Sequence, residues 1–147
     1  MKSKIRRFAF LAALTALALP CFASPATPHA RLSDKDVEQR LKNLNDDTKK
    51  FRSTFNNSVS KSTIRKTSQE KDAKKLVETF QKQNSELYEH FKKTKKADPY
   101  LQNSLNSADQ IDKILHSTQL DSATNSQWAR VKSQLGDLGK AFQMPGY

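Results

Sequence analysis

The chain is poor in the residues that cross-link a fold or turn it sharply. Its 147 residues include one cysteine, three glycines and five prolines. A single cysteine cannot form a disulfide within the chain, and so few glycines and prolines leave few turn signals for a protein built from short strands. The scarcity favours an all-α fold whose stability comes from packing rather than from cross-links.

The chain also lacks the short motifs that mark common active sites. It has no glycine-rich phosphate loop, no Cys-x-x-Cys-His haem attachment, no His-Glu-x-x-His zinc motif and no Gly-x-Ser-x-Gly nucleophile elbow. We therefore expect a non-enzymatic protein that uses no cofactor.

The first residues contain a three-part segment that is typical of a secretory signal peptide. A cationic stretch over residues 2–7 is followed by an apolar run from Phe8 to Leu19, and Pro20 ends the run. The run is 12 residues long, whereas a membrane-spanning helix needs about 20. We predict that residues 1–23 are removed by cleavage between Ala23 and Ser24, and that the protein is a periplasmic or secreted bacterial protein.

Two other export routes, as a lipoprotein or through a twin-arginine signal, fit this segment less well. Lipidation needs a small residue just before the modified cysteine and usually a leucine two residues further back, but Cys21 follows Pro20 and has Ala18 at the leucine position. The pair Arg6-Arg7 resembles a twin-arginine signal, yet its flanking residues fit that pattern poorly. General secretion is the favoured route, and cleavage after residue 23 would remove the only cysteine.

Positive charge is concentrated in the middle of the chain. The full chain carries 26 basic and 15 acidic residues, a net charge of +11, which falls to +7 once the four cations of residues 2–7 are removed. Residues 61–96 hold 11 basic and 5 acidic residues, so this segment alone accounts for +6. A positive domain outside the cytoplasm is suited to anionic lipid headgroups, lipopolysaccharide or acidic polysaccharide rather than to nucleic acid.

Four amphipathic segments predict a single-domain four-helix bundle over residues 33–143, between a disordered tail over 24–32 and a C-terminal tail over 144–147. We expect an N-cap at Ser33, a second helix from about Ser68 to Lys96, and a third helix capped by Asp98 before Pro99. The four apolar stripes are Val37, Leu41, Leu44, Thr48, Phe51 and Phe55; Ala73, Leu76, Val77, Phe80, Leu87 and Phe91; Leu101, Leu105, Ala108, Ile111, Ile114 and Leu115; and Trp128, Val131, Leu135, Leu138 and Phe142.

Two features of the fourth helix carry further expectations. Trp128 is the single indole of the chain and lies on an apolar stripe, so we expect it to anchor the core with its N–H bonded. Gly136 and Gly139 are three residues apart, and their missing side chains could let a neighbouring backbone approach closely. The alternative is that they only weaken this helix, since each glycine costs about 0.5–1 kcal/mol relative to alanine, and make it the one that frays.

A largely apolar set of residues runs through the last three predicted helices: Phe80, Leu87, Phe91, Leu105, Ala108, Ile111, Asp112, Leu120, Trp128, Val131, Lys132, Leu135, Leu138, Ala141 and Phe142. In this set the chain resembles a family of short, secreted, all-helical bacterial proteins of unknown function. The likeness spans Val37 to Phe142 and implies a fold but no catalytic residue. This chain departs from the family pattern at Gly139, where alanine is expected, and at its end, Met144-Pro145-Gly146-Tyr147, where the family has a tryptophan-containing tail.

The densest basic cluster lies at the predicted end of the second helix. Four cations within five residues suit phosphate or a lipid headgroup. An alternative is that they only stabilise the negative end of that helix. The candidate anion-binding residues are Lys92, Lys93, Lys95 and Lys96.

Three other sites are conceivable. His90 and His116 each follow an acidic residue by one turn, but in an antiparallel hairpin they would lie ~18 Å apart, too far to share one metal ion. Asp109 and Asp112 could share a helix face, as the acids of a small hydrolase would. The bundle interior could also carry an apolar ligand or haem.

The sequence as a whole predicts an exported helical protein that binds, or helps to maintain, an anionic or unfolded partner in the cell envelope. The expected partner is an anionic envelope component or another protein, and the lysine cluster at residues 92–96 is the expected contact.

Overall fold

The structure is a computed structural model that describes residues 32–144. The predicted signal peptide, its cleavage site at Ala23 and Ser24, and the residues from 145 onward lie outside the described part. Leu32 and Met144, which the sequence places in the two tails, pack against the core. Within residues 32–144, no helix is both long enough and apolar enough to cross a membrane.

Four α-helices and no strand make up the described part of the chain, which confirms the predicted all-α, four-helix fold. The second helix ends two residues earlier than expected, because Lys95 has a left-handed conformation with φ of 58° and donates its N–H to the Phe91 carbonyl at 2.8 Å. The helices are α1 (Asp34–Val59), α2 (Ser68–Thr94), α3 (Tyr100–Ser117) and α4 (Ser122–Ala141).

Side-chain caps begin three of the four helices. The Ser33 hydroxyl accepts the N–H of Asp36 at 3.2 Å, which confirms the cap predicted for α1. Thr67 and Asp121 cap α2 and α4 in the same way.

The cap predicted at Asp98 is wrong. Pro99 occupies the N-cap position of α3 and makes no side-chain cap hydrogen bond. Backbone carbonyls bond the first N–H groups of this helix instead, because Leu101 donates to Ala97 at 3.0 Å and Asn103 donates to Pro99 at 3.2 Å. The Asp98 side chain is therefore left exposed beside the helix rather than folded back onto it.

Short connections over residues 60–67, 95–99 and 118–121 return each helix alongside the preceding one, so consecutive helices run antiparallel. α1 packs against α2 and α4, and α2 packs against α3, whereas α3 and α4 approach each other less closely. The first and last connections share one end of the bundle, where the Asp121 N–H donates to Ser58 Oγ at 3.1 Å. We call this the 60–67 end, and the opposite end the 95–99 end.

Aromatic side chains fill the middle of the bundle. Trp128 is 5% exposed, and its ring centroid lies 4.9 Å from that of Phe51 and 5.7 Å from that of Phe80. Its Nε1–H donates to Asp112 Oδ1 at 2.6 Å. The predicted role of Trp128, a core anchor with a bonded indole N–H, is confirmed.

A small polar group crosses the core between α1 and α2. Asn84 donates from Nδ2 to the Thr48 hydroxyl at 3.2 Å, and Thr48 donates to the Leu44 carbonyl at 2.7 Å. Because its hydroxyl has partners on both sides, Thr48 is accommodated in an otherwise apolar stripe.

Gly136 does not mediate a close approach between helices. A Cβ added at this position would have no atom within 4 Å apart from its chain neighbours and the backbone of its own helix. The expectation that Gly136 lets a neighbouring backbone come near is therefore wrong, because this side of α4 faces open space.

Candidate functional site

Two of the four predicted anion-binding lysines are engaged within the protein. Lys92 Nζ lies 3.7 Å from a Glu89 carboxylate oxygen and 5.1 Å from the centroid of the Tyr88 ring. Lys95 Nζ donates to Glu38 Oε2 at 3.1 Å, which ties the end of α2 to the start of α1. Positive charge that is already paired is less able to attract an outside anion.

The other two lysines of the cluster face solvent. Lys93 lies in the last turn of α2 and Lys96 in the connection that follows, and both side chains are exposed. Neither forms an ion pair with any residue of 32–144. The cluster therefore presents two unpaired cations to a partner rather than four.

Carboxylates surround this cluster at the 95–99 end. Asp34 and Asp36 lie in the first turn of α1, and Asp98 lies in the adjoining connection. Asp137 on α4 pairs with Arg40 on α1 across 3.6 Å. Among the residues that the structure describes, these carboxylates offset much of the positive charge of the lysine cluster.

At the opposite end, Glu70 holds the connection between α1 and α2. Its Oε1 accepts hydrogen bonds from Lys74 Nζ at 2.6 Å and from Ser60 Oγ at 3.0 Å. Its Oε2 accepts the backbone N–H of Lys66 at 2.5 Å. The hydrogen bond from Lys74, followed by that from the Lys66 backbone, lowers the pKa of Glu70 to about 2.

The 60–67 end carries a set of exposed cations that the sequence did not single out. None of them forms an ion pair with a residue in the described range. The sequence signal that pointed to them was the shortage of acidic residues over 61–75, where Glu70 and Asp72 are the only two. The set consists of Lys61, Arg65, Lys66, Lys71 and Lys75.

The two candidate hydrolase acids have different surroundings. Asp109 is exposed, whereas Asp112 accepts the Trp128 indole N–H and also pairs with Lys132 of α4. Partial burial raises the pKa of Asp112, but the hydrogen bonds from Lys132 and Trp128 outweigh it and leave the pKa below its usual value. An ionised carboxylate with both oxygens engaged is poorly suited to act as a general acid, and its contacts join α3 to α4.

The described histidines lie on different surfaces. The His90 ring stacks on the Tyr100 ring with 4.4 Å between centroids, and His116 Nδ1 lies 2.7 Å from the Asp112 carbonyl oxygen. Within residues 32–144, no three metal-binding side chains gather in one place. Neither histidine reaches the core, so neither is placed to ligate a haem inside the bundle.

No protein-family model, curated protein or solved structure matches this chain. The resemblance to short, secreted, all-helical bacterial proteins accordingly stays a prediction.

Proposed function

We propose that this protein is an exported, non-enzymatic helical module that binds an anionic partner in the cell envelope. The supporting observation is the charge balance of residues 61–96, where Asp72 is the only acidic residue without an ion pair to a residue of 32–144. Seven of the 11 basic residues of this segment are exposed and equally unpaired, namely Lys61, Arg65, Lys66, Lys71, Lys75, Lys93 and Lys96.

The kind of partner follows from how these cations are presented. Each one lies on an exposed loop or helix surface, so a single anion would gain little from any one of them. A partner that carries many negative charges gains from all of them together. Anionic lipid headgroups, lipopolysaccharide, acidic polysaccharide and an acidic segment of an unfolded protein all meet this requirement.

Binding across a range of salt concentration tests the proposal. The chain from Ser24 onward retains the core of the described part of the chain, because the buried apolar residues of 32–144 run from Val37 to Met144. We expect it to sediment with vesicles that contain anionic lipid, or to bind a soluble acidic polysaccharide, and to release as salt rises from about 50 to about 500 mM. Binding that is absent, or that is insensitive to salt, would contradict the proposal.

A pair of matched variants tests the contribution of the lysine cluster. Lys92, Lys93, Lys95 and Lys96 are changed together to glutamine in one variant. The control changes four lysines that already pair with carboxylates, namely Lys42, Lys49, Lys50 and Lys82. Both variants lose four charges, but only the first removes Lys93 and Lys96, which form no ion pair within 32–144, so a greater loss of binding in the first would show that the cluster contributes beyond net charge. Equal losses would contradict a specific contribution of the cluster.

Export is tested separately from binding. We expect the full chain, when produced in a bacterium, to be recovered outside the cytoplasm with Ser24 as its first residue. N-terminal sequencing of the recovered protein measures this directly. A chain that stays in the cytoplasm with residues 1–23 intact would contradict the export part of the proposal and leave anion binding to be judged by itself.

A further inference from the structure

We propose that the 60–67 end is the main binding surface of the protein, and that it docks on the headgroups of an anionic lipid bilayer. The inference rests on the proposed function, and it names the surface and the partner that the function would use. The docking surface consists of Lys61, Arg65, Lys66, Lys71 and Lys75.

The connection that carries three of these cations is held in place. Ile64 packs against the core, and the Glu70 carboxylate bonds the Lys66 backbone and the Ser60 hydroxyl. Within the connection, Arg65 donates its N–H to the Ser62 carbonyl at 3.2 Å, and Lys61 donates its N–H to the Ser58 carbonyl at 3.0 Å. Side chains on a connection with this many internal bonds are presented without the ordering cost of a flexible loop.

The five cations also lie close enough to act together. Lys71 and Lys75 are three and seven residues from the first residue of α2, or about 4.5 and 10.5 Å along the helix axis. The whole set therefore lies within roughly 11 Å of the bundle end. Charges are screened over about 10 Å at 0.1 M salt, so one anionic surface placed against this end attracts all five.

Few carboxylates at this end oppose such a surface. Glu70 is turned inward to its hydrogen bonds, and Asp121 accepts the N–H of Thr124 at 2.7 Å as the cap of α4. Asp72 and Asp121 form no ion pair with any residue of 32–144, but Asp121 is engaged as a helix cap, whereas Asp72 is exposed and has no such role. The 95–99 end differs, because two of its four clustered lysines are paired and more carboxylates surround them.

The shape of the surface favours a bilayer over a chain-like polyanion. The cations occupy the tip of the α1–α2 hairpin and the first two turns of α2, so they cap an end of the bundle and do not line a groove along it. A plane of headgroups can meet all of them at once, whereas a linear polymer would have to bend around the tip. Each cation near an anionic bilayer strengthens binding by about fivefold.

The test compares two variants that lose the same number of charges. The tip variant is K61Q/R65Q/K66Q/K71Q and the cluster variant is K92Q/K93Q/K95Q/K96Q, both in the chain from Ser24 onward. Lys66 bonds Glu70 through its backbone N–H, so glutamine at this position leaves that contact intact. With vesicles of phosphatidylcholine and phosphatidylglycerol, we expect the tip variant to bind at least about tenfold more weakly than the unmodified chain, and the cluster variant less than about threefold.

A second measurement uses the unmodified protein and does not depend on the folding of any variant. Lysine acetylation by a soluble reagent, read by mass spectrometry, is compared with and without vesicles. We expect Lys61, Lys66 and Lys71 to be protected by the vesicles while Lys93 and Lys96 stay reactive.

Each alternative outcome identifies what fails. Equal losses in the two variants, or protection at Lys93 and Lys96 alone, would overturn the assignment of the surface and leave the proposed function standing. A tip variant that loses binding to a soluble acidic polysaccharide but keeps binding to vesicles would overturn the choice of a bilayer. An unmodified chain that binds neither probe would overturn the proposed function as well.

Discussion

The two ends of this bundle use their charged residues in different ways. At the 95–99 end, basic side chains pair with carboxylates of other helices, as Lys95 does with Glu38 and Arg40 does with Asp137. At the 60–67 end, one carboxylate, Glu70, organises the connection from within and leaves the surrounding cations unpaired in the described structure. The end with the denser run of lysines in sequence is thus the end with less unneutralised charge.

The contrast shows that a basic cluster in sequence is a weak guide to positive potential in the fold. Neutralisation depends on which acidic residues the chain brings back to the cluster, and Glu38 returns to Lys95 from 57 residues away. Residues 61–75 have few acidic residues of their own, and no acidic residue from elsewhere in 32–144 forms an ion pair with the exposed cations of this segment.

The largest effect is expected where the 95–99 end depends on apolar packing. Phe91 is 1% exposed, packs edge-on against Phe142 with 6.1 Å between centroids, and lies beneath the Lys95 ammonium at 5.5 Å. Phe91→Ala should lower the free energy of unfolding in urea by about 3–5 kcal/mol. Phe142→Ala, at a half-buried position, should lower the free energy of unfolding by clearly less. Equal costs would mean that Phe91 does not anchor this end.

The next largest effect is expected at the carboxylate that organises the other end. Glu70→Gln removes the charge that holds Lys74 and weakens the bonds to Ser60 and to the Lys66 backbone, so the melting temperature should fall. Asp72→Asn is the matched control, since Asp72 lies two residues away and forms no ion pair with any residue of 32–144. A similar fall in both variants would show only a general effect of charge near the start of α2.

The lowered pKa of Glu70 predicts how the stability of the 60–67 end responds to acid. The folded pKa of Glu70 is lowered from an ordinary 4.5 to about 2, so its contribution to stability is full above pH 4.5 and is lost as the pH falls towards 2. As the pH is lowered from 4.5 towards 2, the melting temperatures of the unmodified chain and of Glu70→Gln should therefore converge. A difference that stays constant across that range would contradict the assigned hydrogen bonds.

Sequence periodicity was sufficient for the helices but not for the surface. The stripes that contain Phe51, Phe80 and Trp128 predicted four helices because a spacing of three and four places apolar residues on one face. The prediction that Asp98 caps α3 was wrong because a side chain can cap a helix only where the first backbone N–H groups lack partners. In α3, backbone carbonyls already accept N–H groups of the first turn. The cationic surface of the 60–67 end could not be predicted from the sequence, because its exposed cations are spread along the chain. They form one surface only when α1 and α2 pack as a hairpin.

A smaller effect, of opposite sign, is expected at a position remote from these charged surfaces. Gly136 lies within α4 with open space where a Cβ would be, so Gly136→Ala should raise the free energy of unfolding by about 0.5–1 kcal/mol. Ala129→Gly, at an exposed position on the same helix, should lower it by a similar amount. Because neither change touches a charge, binding to anionic vesicles should be unaffected in both, and an altered affinity would show that stability influences binding.

The smallest effect concerns the ion pair that distinguishes the 95–99 end. Lys95 and Glu38 meet at 3.1 Å with side chains 44% and 36% exposed, so Lys95→Gln should cost about 0.2–1 kcal/mol, and less at high salt. Lys93→Gln, which removes an exposed lysine without an ion pair in the described structure, should cost close to nothing. Glu38→Gln should leave Lys95 unpaired and strengthen salt-sensitive binding to anionic vesicles, because the 95–99 end would then resemble the 60–67 end. Unchanged affinity of Glu38→Gln for the vesicles would mean that ion pairing does not account for the difference in anion binding between the two ends.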